Sequence, residues 1–417
     1  MTVIRIARLA SVAVGLLAFA GCNFFDVTNP GPIADDNLNE APAMVGLATG
    51  MAFDLSRAMD AVTQEAAIMS DELYHGGSYT DEALYNRGII RFDGLTNTLW
   101  GNMQRARWVA ESGIERMKTV LETGYDTSPL AARANIYAGL ANRLLGETVC
   151  EAVIDGGAPE DFKTHFTRAE AAFTEAIRIA NGLTTAALKD SLLRVAYGGR
   201  ASVRAWQGKW TEAATDAALV PTAYVFVAPF STNTTAENND LAFETTTRSE
   251  YTVFNTQWAQ NNKADARVPW DTVRTTGGAL AVGQDGRTTF FRQRKYTTLA
   301  SDIPLVKGTE MLILRAEAAL RSNDVAGAMT LINQERAIYN TTAAPLPALT
   351  ATTAAQAWPI LQKERAAVTW LEARRFWDLR RWLTEAAPIQ NNFLATRDKC
   401  IPISQDETNS NPNLRNR

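Results

Sequence analysis

Histidine and cysteine are scarce in this chain of 417 residues, which has two of the first and three of the second. His75 and His165 stand far apart, and no Cys or His pair has the short spacing that a zinc site requires. The loop acids Asp265, Asp271 and Asp285 do not follow an EF-hand spacing either, so no metal is expected. A basic surplus is also missing. The net charge is −4 and the isoelectric point near 5.5, whereas a protein that tracks a phosphate backbone gathers positive charge on one face. Nucleic acid is therefore not expected as a partner. No Gly-rich phosphate loop, no G-x-S-x-G elbow and no metal-spaced histidine pair occurs, so neither a cofactor nor catalysis is expected. What is present is ordinary globular material, 46% hydrophobic and 21% charged, enough to build a large core.

The N-terminal MTVIRIARLASVAVGLLAFAGC places Arg5 and Arg8 before an apolar run from Leu9 to Ala20. That arrangement is a secretory signal, too short to span a bilayer, and no later run is long enough. Phe19-Ala20-Gly21-Cys22 resembles a bacterial lipobox, which assigns residues 1–21 to a lipoprotein signal peptide and Cys22 to lipidation. Ala18-Phe19-Ala20 also fits ordinary signal peptidase, and simple secretion is the competing reading. Loss of Arg5 and Arg8 leaves the mature chain still more acidic, so adhesion to anionic lipid would need the covalent anchor. With Cys22 lipidated, Cys150 and Cys400 remain as an even pair in an oxidising compartment, and a disulfide between them is expected over two buried thiols.

Residues 22–38 are rich in Pro, Gly, Asn and Asp and read as an extended tether. Residues 39–417 read as one domain, with helices at about 97–220 and 305–386. Apolar residues recur at three and four residue steps in Asn97–Leu121. Ala169, Phe173 and Ala176 fit the A-x3-F-x2-A core of a tetratricopeptide helix. A turn at Gly208 between Trp206 and Trp210, and the Ser322-Asn323-Asp324 turn in LILRAEAALRSNDVAGAMTLINQERA, repeat the helix-turn-helix design. The fold class expected is all-α, a tetratricopeptide-like scaffold of helical pairs with a loop-rich insertion at about 224–304. The insertion loses the helical period and is long for a structureless segment, which more often marks a functional surface than a linker. Short strands such as 288–292 are expected there.

The stretch ERAAVTWLEARRFWDLRRW, Glu364 to Trp382, sets three tryptophans among five arginines. The reading is one helix covered on both faces, with Trp370, Ala373 and Trp377 along one side and Val368, Leu371, Leu379 and Trp382 along another. Planar guanidinium groups suit such places because they stack on indole and pair with carboxylates as a fixed fork.

Together with the lipobox and FFDVTNP, with EMLILRAEAALRSND at Glu310–Asp324 and with the terminal IPISQDETNSNPNL at Ile401–Leu414, this stretch resembles the SusD/RagB family of surface lipoproteins. The most specific segment is Glu372–Trp382; Ala373 stands where the family often has Gly, and Arg374 where His is common. The resemblance implies an all-helical tetratricopeptide scaffold. It also implies a nutrient-binding lipoprotein of the bacterial outer membrane that captures a glycan or other oligomer and delivers it, as a lid, to a SusC-like TonB-dependent barrel. The alternatives are a surface-anchored glycoside hydrolase with two carboxylates across a cleft, and a tetratricopeptide scaffold that binds peptides in a groove.

Sugars are held by flat aromatic faces and by directional hydrogen bonds. Two stretches supply that mixture. Ser70–Gly88 offers Tyr74, His75 and Tyr79, and the insertion offers Tyr251, Trp258, Asn261, Asn262 and Trp270. These are the expected ligand-binding residues.

Overall fold

The computed structural model describes residues 35–261, 265–389 and 391–415. The signal peptide, Cys22, the first part of the tether and Asn262 lie outside the described residues. The chain divides into two units, Met1–Ala43 and Met44–Arg417. The described part of the first holds a 3-10 turn at Asp35–Leu38.

The architecture is helical. α1 (Ala43–Met69), α2 (Thr80–Asn86) and α3 (Leu95–Leu121) precede α4 (Pro129–Thr148), α5 (Lys163–Asn181), α6 (Ala186–Trp206) and α7 (Trp210–Ala218). From α3 to α7 each helix packs on its successor. The cause is a small-against-large pattern. Ala169, Phe173 and Ala176 of α5 are fully buried. A Cβ on Gly139 of α4 would sit 2.8 Å from the Phe173 ring, one on Gly146 2.7 Å from the Phe166 ring, and one on Gly199 of α6 2.3 Å from Phe173. Only glycine lets the backbones of α4 and α6 close on these two rings, and the approach excludes voids. Ser128 starts α4 by accepting the Ala131 amide at 3.3 Å, with Pro129 in the first turn. Gly208, at φ 75°, makes the turn between α6 and α7.

The insertion leaves through β4 (Val225–Ala228) and returns through β8 (Ile303–Lys307), which pair antiparallel. Between them lie α8 (Asp240–Thr246), α9 (Gln257–Asn261) and the strands described below. The scaffold resumes with α10 (Gly308–Arg321) and α11 (Val325–Tyr339), joined by a turn in which Asp324 caps α11 by accepting the Gly327 amide at 2.8 Å.

Glu364–Trp382 is not one helix. α12 (Ala354–Val368) ends, Thr369–Ala373 turns with Leu371 at φ 56° and Ala373 at φ 63°, and α13 (Arg374–Thr384) begins. The continuous helical faces expected for it are therefore wrong, but all three tryptophans are buried. Each arginine has a partner. Arg374 pairs with Glu310 at 3.1 Å, Arg381 with Glu317 at 2.7 Å, Arg365 with Asp378 at 2.5 Å and Arg375 with Asp71 at 2.7 Å. Arg380 donates to the Glu147 and Val149 carbonyls at 3.0 and 2.8 Å and lies over the Phe162 ring. The Glu310 and Glu317 pairs are two helical turns apart on both α10 and α13, which sets the two helices in parallel register.

Short strands β2 (Glu151–Ala152) and β3 (Glu160–Asp161) follow α4. Beside them Cys150 and Cys400 form a disulfide, next to a parallel bridge between Val149 and Ile401, so the tail carrying α14 (Gln405–Ser410) is tied back to the end of α4.

Candidate functional site

The two stretches singled out for ligand contact meet. β1 (Tyr74–His75) pairs antiparallel with β5 (Tyr251–Thr252), His75 opposite Tyr251. Thr252 Oγ1 accepts the Phe291 amide at 2.8 Å, and the Val253 amide donates to the Phe291 carbonyl at 2.9 Å. Phe291 belongs to β7 (Phe291–Gln293), which pairs with β6 (Trp270–Thr272). A run of hydrogen bonds thus joins Tyr74 to Trp270 as an irregular ribbon, and the strand expected at 288–292 forms at Phe291–Gln293 instead.

The turn after β1 requires glycine. A Cβ on Gly77 would overlap the Glu250 carboxylate at 1.8 Å, because that group folds over the turn and accepts the Ser78 amide at 2.7 Å and the Ser78 hydroxyl at 3.0 Å. Arg248 donates to the same carboxylate at 3.0 Å and lies 5.0 Å over the Tyr79 ring. The Tyr79 hydroxyl points to Glu244 at 3.4 Å, and burial pushes that carboxyl up to about 7.

Three of the expected contacts are packed inside. Tyr251 is 0% exposed, Trp258 1% and His75 9%. The Tyr251 hydroxyl accepts from Gln64 at 3.1 Å, and the His75 ring lies 6.0 Å from that of Tyr251, its basicity lowered by burial. These side chains hold the ribbon against the helices and present no face to a ligand. Asn261 is the last residue of α9, and Asn262 is outside the described residues. Tyr74, Tyr79 and Trp270 remain half-buried with surface to offer. Trp270 stacks on Phe291 at 5.2 Å with a 9° tilt, and Phe254 meets Phe291 edge-on at 5.2 Å. Asp271 pairs with Arg292 at 3.0 Å and Arg294 at 3.7 Å beside this stack. The result is a half-buried aromatic stack with charged groups at its border, residue types of the kind that hold polyhydroxyl ligands.

Sequence reasoning missed a second feature. Arg57, Asp60, Gln64 and Glu65 of α1 line a cavity of about 310 Å³ against α3 and the segment from Phe230 to Asp240. The available signal was Asp60, Gln64 and Glu65 among the Ala, Met and Val of RAMDAVTQEAAIM in α1.

The SusD family model matches residues 206–399. No curated protein matches the chain. Among solved structures, a SusD superfamily protein from Bacteroides vulgatus is 16% identical with a TM-score of 0.64, covering 89% of this chain and 97% of its own. Surface glycan-binding protein A from Bacteroides thetaiotaomicron is 12% identical with a TM-score of 0.66, covering 89% and 98%. A SusD-like carbohydrate binding protein from Bacteroides fragilis is 12% identical with a TM-score of 0.59, covering 84% and 92%. At these identities the structural likeness shows a shared fold.

Proposed function

The chain belongs to the SusD/RagB family, and from that premise we propose that it captures an oligomeric nutrient, a glycan first of all, at the outer membrane surface and delivers it as a lid to a SusC-like TonB-dependent barrel. The observation that carries the reading is the ribbon. It joins segments far apart in sequence, and its half-buried aromatic groups are the Trp270–Phe291 stack, Tyr74 and Tyr79. Two relatives of the same fold are described as glycan- or carbohydrate-binding proteins. Their likeness supports a sugar as the ligand class. Stacking on sugar CH faces, hydrogen bonds donated by Arg292 and hydrogen bonds accepted by Asp271 would supply affinity, which supports binding over hydrolysis.

Calorimetry against a panel of soluble oligosaccharides tests this. Trp270→Ala and Tyr79→Ala should each weaken binding about tenfold or more, the loss of roughly 1.4 kcal/mol expected for an aromatic platform, with the melting temperature nearly unchanged. Trp258→Ala should behave oppositely and cost about 3–5 kcal/mol of stability, because its ring lies in the interior. Wild-type binding that survives both surface substitutions would remove the ribbon as the site. Release of shortened products by the wild-type chain would favour the hydrolase.

A further inference from the structure

Of the ten tryptophans, Trp108 alone is exposed, with 56% of its surface open to solvent. It lies on the outer face of α3, where its exposed neighbours are Gly101, Arg105, Glu115, Lys118 and Thr119. The solvent face of a helix is ordinarily polar, and an indole left in water gains none of the stabilisation that burial gives the other nine. Its ring N–H has no acceptor among the described residues.

Trp108 borders a cavity of about 470 Å³ between α3 and the turn that follows β2. Gln104, Arg105 and Arg107 line it from the helix, and Val153, Asp155 and Gly156 from the turn. The turn is firmly held. Buried Arg107 donates to Asp155 Oδ1 at 2.8 Å and to Glu111 at 2.7 Å, and Gln104 donates to the Val153 carbonyl at 3.1 Å. From the tail, Asn411 and Asn413 donate to the Gly157 and Gly156 carbonyls at 2.9 and 2.8 Å, and the Cys150–Cys400 disulfide fastens that tail. Two exposed groups on this frame keep free ends. Asp155 leaves Oδ2 to solvent, and Arg105, which spends only Nε on Asp54 at 2.8 Å, leaves its terminal nitrogens.

We propose that this cavity is a second saccharide site, separate from the ribbon, in which Trp108 stacks on a sugar ring while Arg105 donates to its hydroxyls and Asp155 accepts from them. An indole face suits the CH face of a sugar, and one donor-only and one acceptor-only group bond hydroxyls in both senses. The ligand is a neutral oligosaccharide, because the lining sets Arg105 and Arg107 against Asp155 and Glu407 and carries no net charge. A protein partner fits less well. Protein-docking surfaces gather contiguous apolar area, and the aliphatic side chains at this cavity are Val109 and the buried Val153. The inference rests on the saccharide class proposed above and not on the ribbon as its site. A polymer long enough to reach both sites is held more firmly than by either alone.

Limited oxidation of the full chain with N-bromosuccinimide, read by peptide mass spectrometry, tests the site directly. Trp108 should react first. Maltohexaose, cellohexaose, xylohexaose or mannohexaose, at about ten times its dissociation constant, should slow that reaction about tenfold, and the protection should persist in Trp270→Ala. In calorimetry Trp108→Ala should lower the number of sugars bound per chain by one with an unchanged melting temperature, since the ring is on the surface, and Trp108→Tyr should restore weaker binding. Oxidation of Trp108 at the same rate with and without every sugar, or protection that vanishes in Trp270→Ala, would overturn the proposal. Binding lost in Trp270→Ala and intact in Trp108→Ala removes this site and keeps the ribbon; the reverse removes the ribbon alone. Protection that grows with protein concentration in the absence of sugar would show a contact between copies and overturn the proposal as well.

Discussion

Glu317 shows how the arginine-rich segment is held. Arg381 binds it with two nitrogens at 2.7 and 2.8 Å, Arg321 donates to it at 2.8 Å, and the Trp382 indole at 2.9 Å. Burial alone would raise this carboxyl, but Arg381 and Arg321 pull it down to about 2, and Arg374, Arg143 and Arg365 do the same for Glu310. Both acids have folded values below their unfolded ones, near 4.3, so their contribution is fully present above that pH and is lost as pH falls towards 2. Glu317→Ala should cost about 3–5 kcal/mol in urea unfolding at pH 7, because it leaves buried guanidinium groups uncompensated. The difference between variant and wild type should shrink as pH falls below about 4. A constant difference from pH 7 to pH 3 would show that the loss is one of packing and not of charge. This residue-scale design was partly legible: guanidinium stacking beside buried indoles was expected, and Arg374 lies 4.8 Å over Trp377. The carboxylate partners were not, since Glu310 and Glu317 come from a helix more than sixty residues away in sequence. Trp258 was misjudged for the same reason. A tryptophan among Asn and Gln reads as exposed, and its burial is decided by elements remote in the chain.

At the scale of elements, the helical pairs were legible because their packing rule is local. Ala169, Phe173 and Ala176 announce α5, and the glycines opposite its rings complete the rule. Gly199→Ala tests it. The gain in helix propensity, about 1 kcal/mol, should be outweighed by overpacking against Phe173, for a net loss of roughly 1–2 kcal/mol in urea unfolding. Gly101→Ala on α3, where a Cβ meets nothing within 4 Å, should by contrast stabilise. Equal effects at the two sites would dismiss the packing account. The break at Thr369–Ala373 was not legible, because no glycine or proline marks it. It is imposed from outside. Glu72 accepts the Leu371 amide at 2.8 Å, the Tyr296 hydroxyl donates to the Leu371 carbonyl at 2.9 Å, and Lys295 donates to the Trp370 carbonyl. Bonds from residues 75 and 299 positions away in sequence hold Leu371 and Ala373 in a left-handed conformation that neither favours alone. The ribbon escaped in the same way, since β1 and β5 are strands of two residues whose pairing is entirely long-range.

For the whole molecule, the proposed function raises the question of how the chain would be held at a membrane. Among the described residues no helix is long and apolar enough to cross one, and the net charge of −4 works against adhesion to anionic lipid. A covalent anchor at Cys22, as the lipobox predicts, would resolve this. One acyl chain binds a membrane only marginally, whereas two or more hold it stably. Purification of the tagged chain in mild detergent from its native outer membrane should therefore recover a TonB-dependent barrel, and mass spectrometry should find a triacylated Cys22 as the first residue. Cys22→Ser should release the chain from the membrane and abolish co-purification while leaving oligosaccharide binding in solution intact, because the ribbon does not depend on the anchor. An unmodified N-terminus without a barrel would overturn the lid. The same open ribbon would then have to act in a secreted binder, and the peptide-binding scaffold and the hydrolase would become the readings to separate.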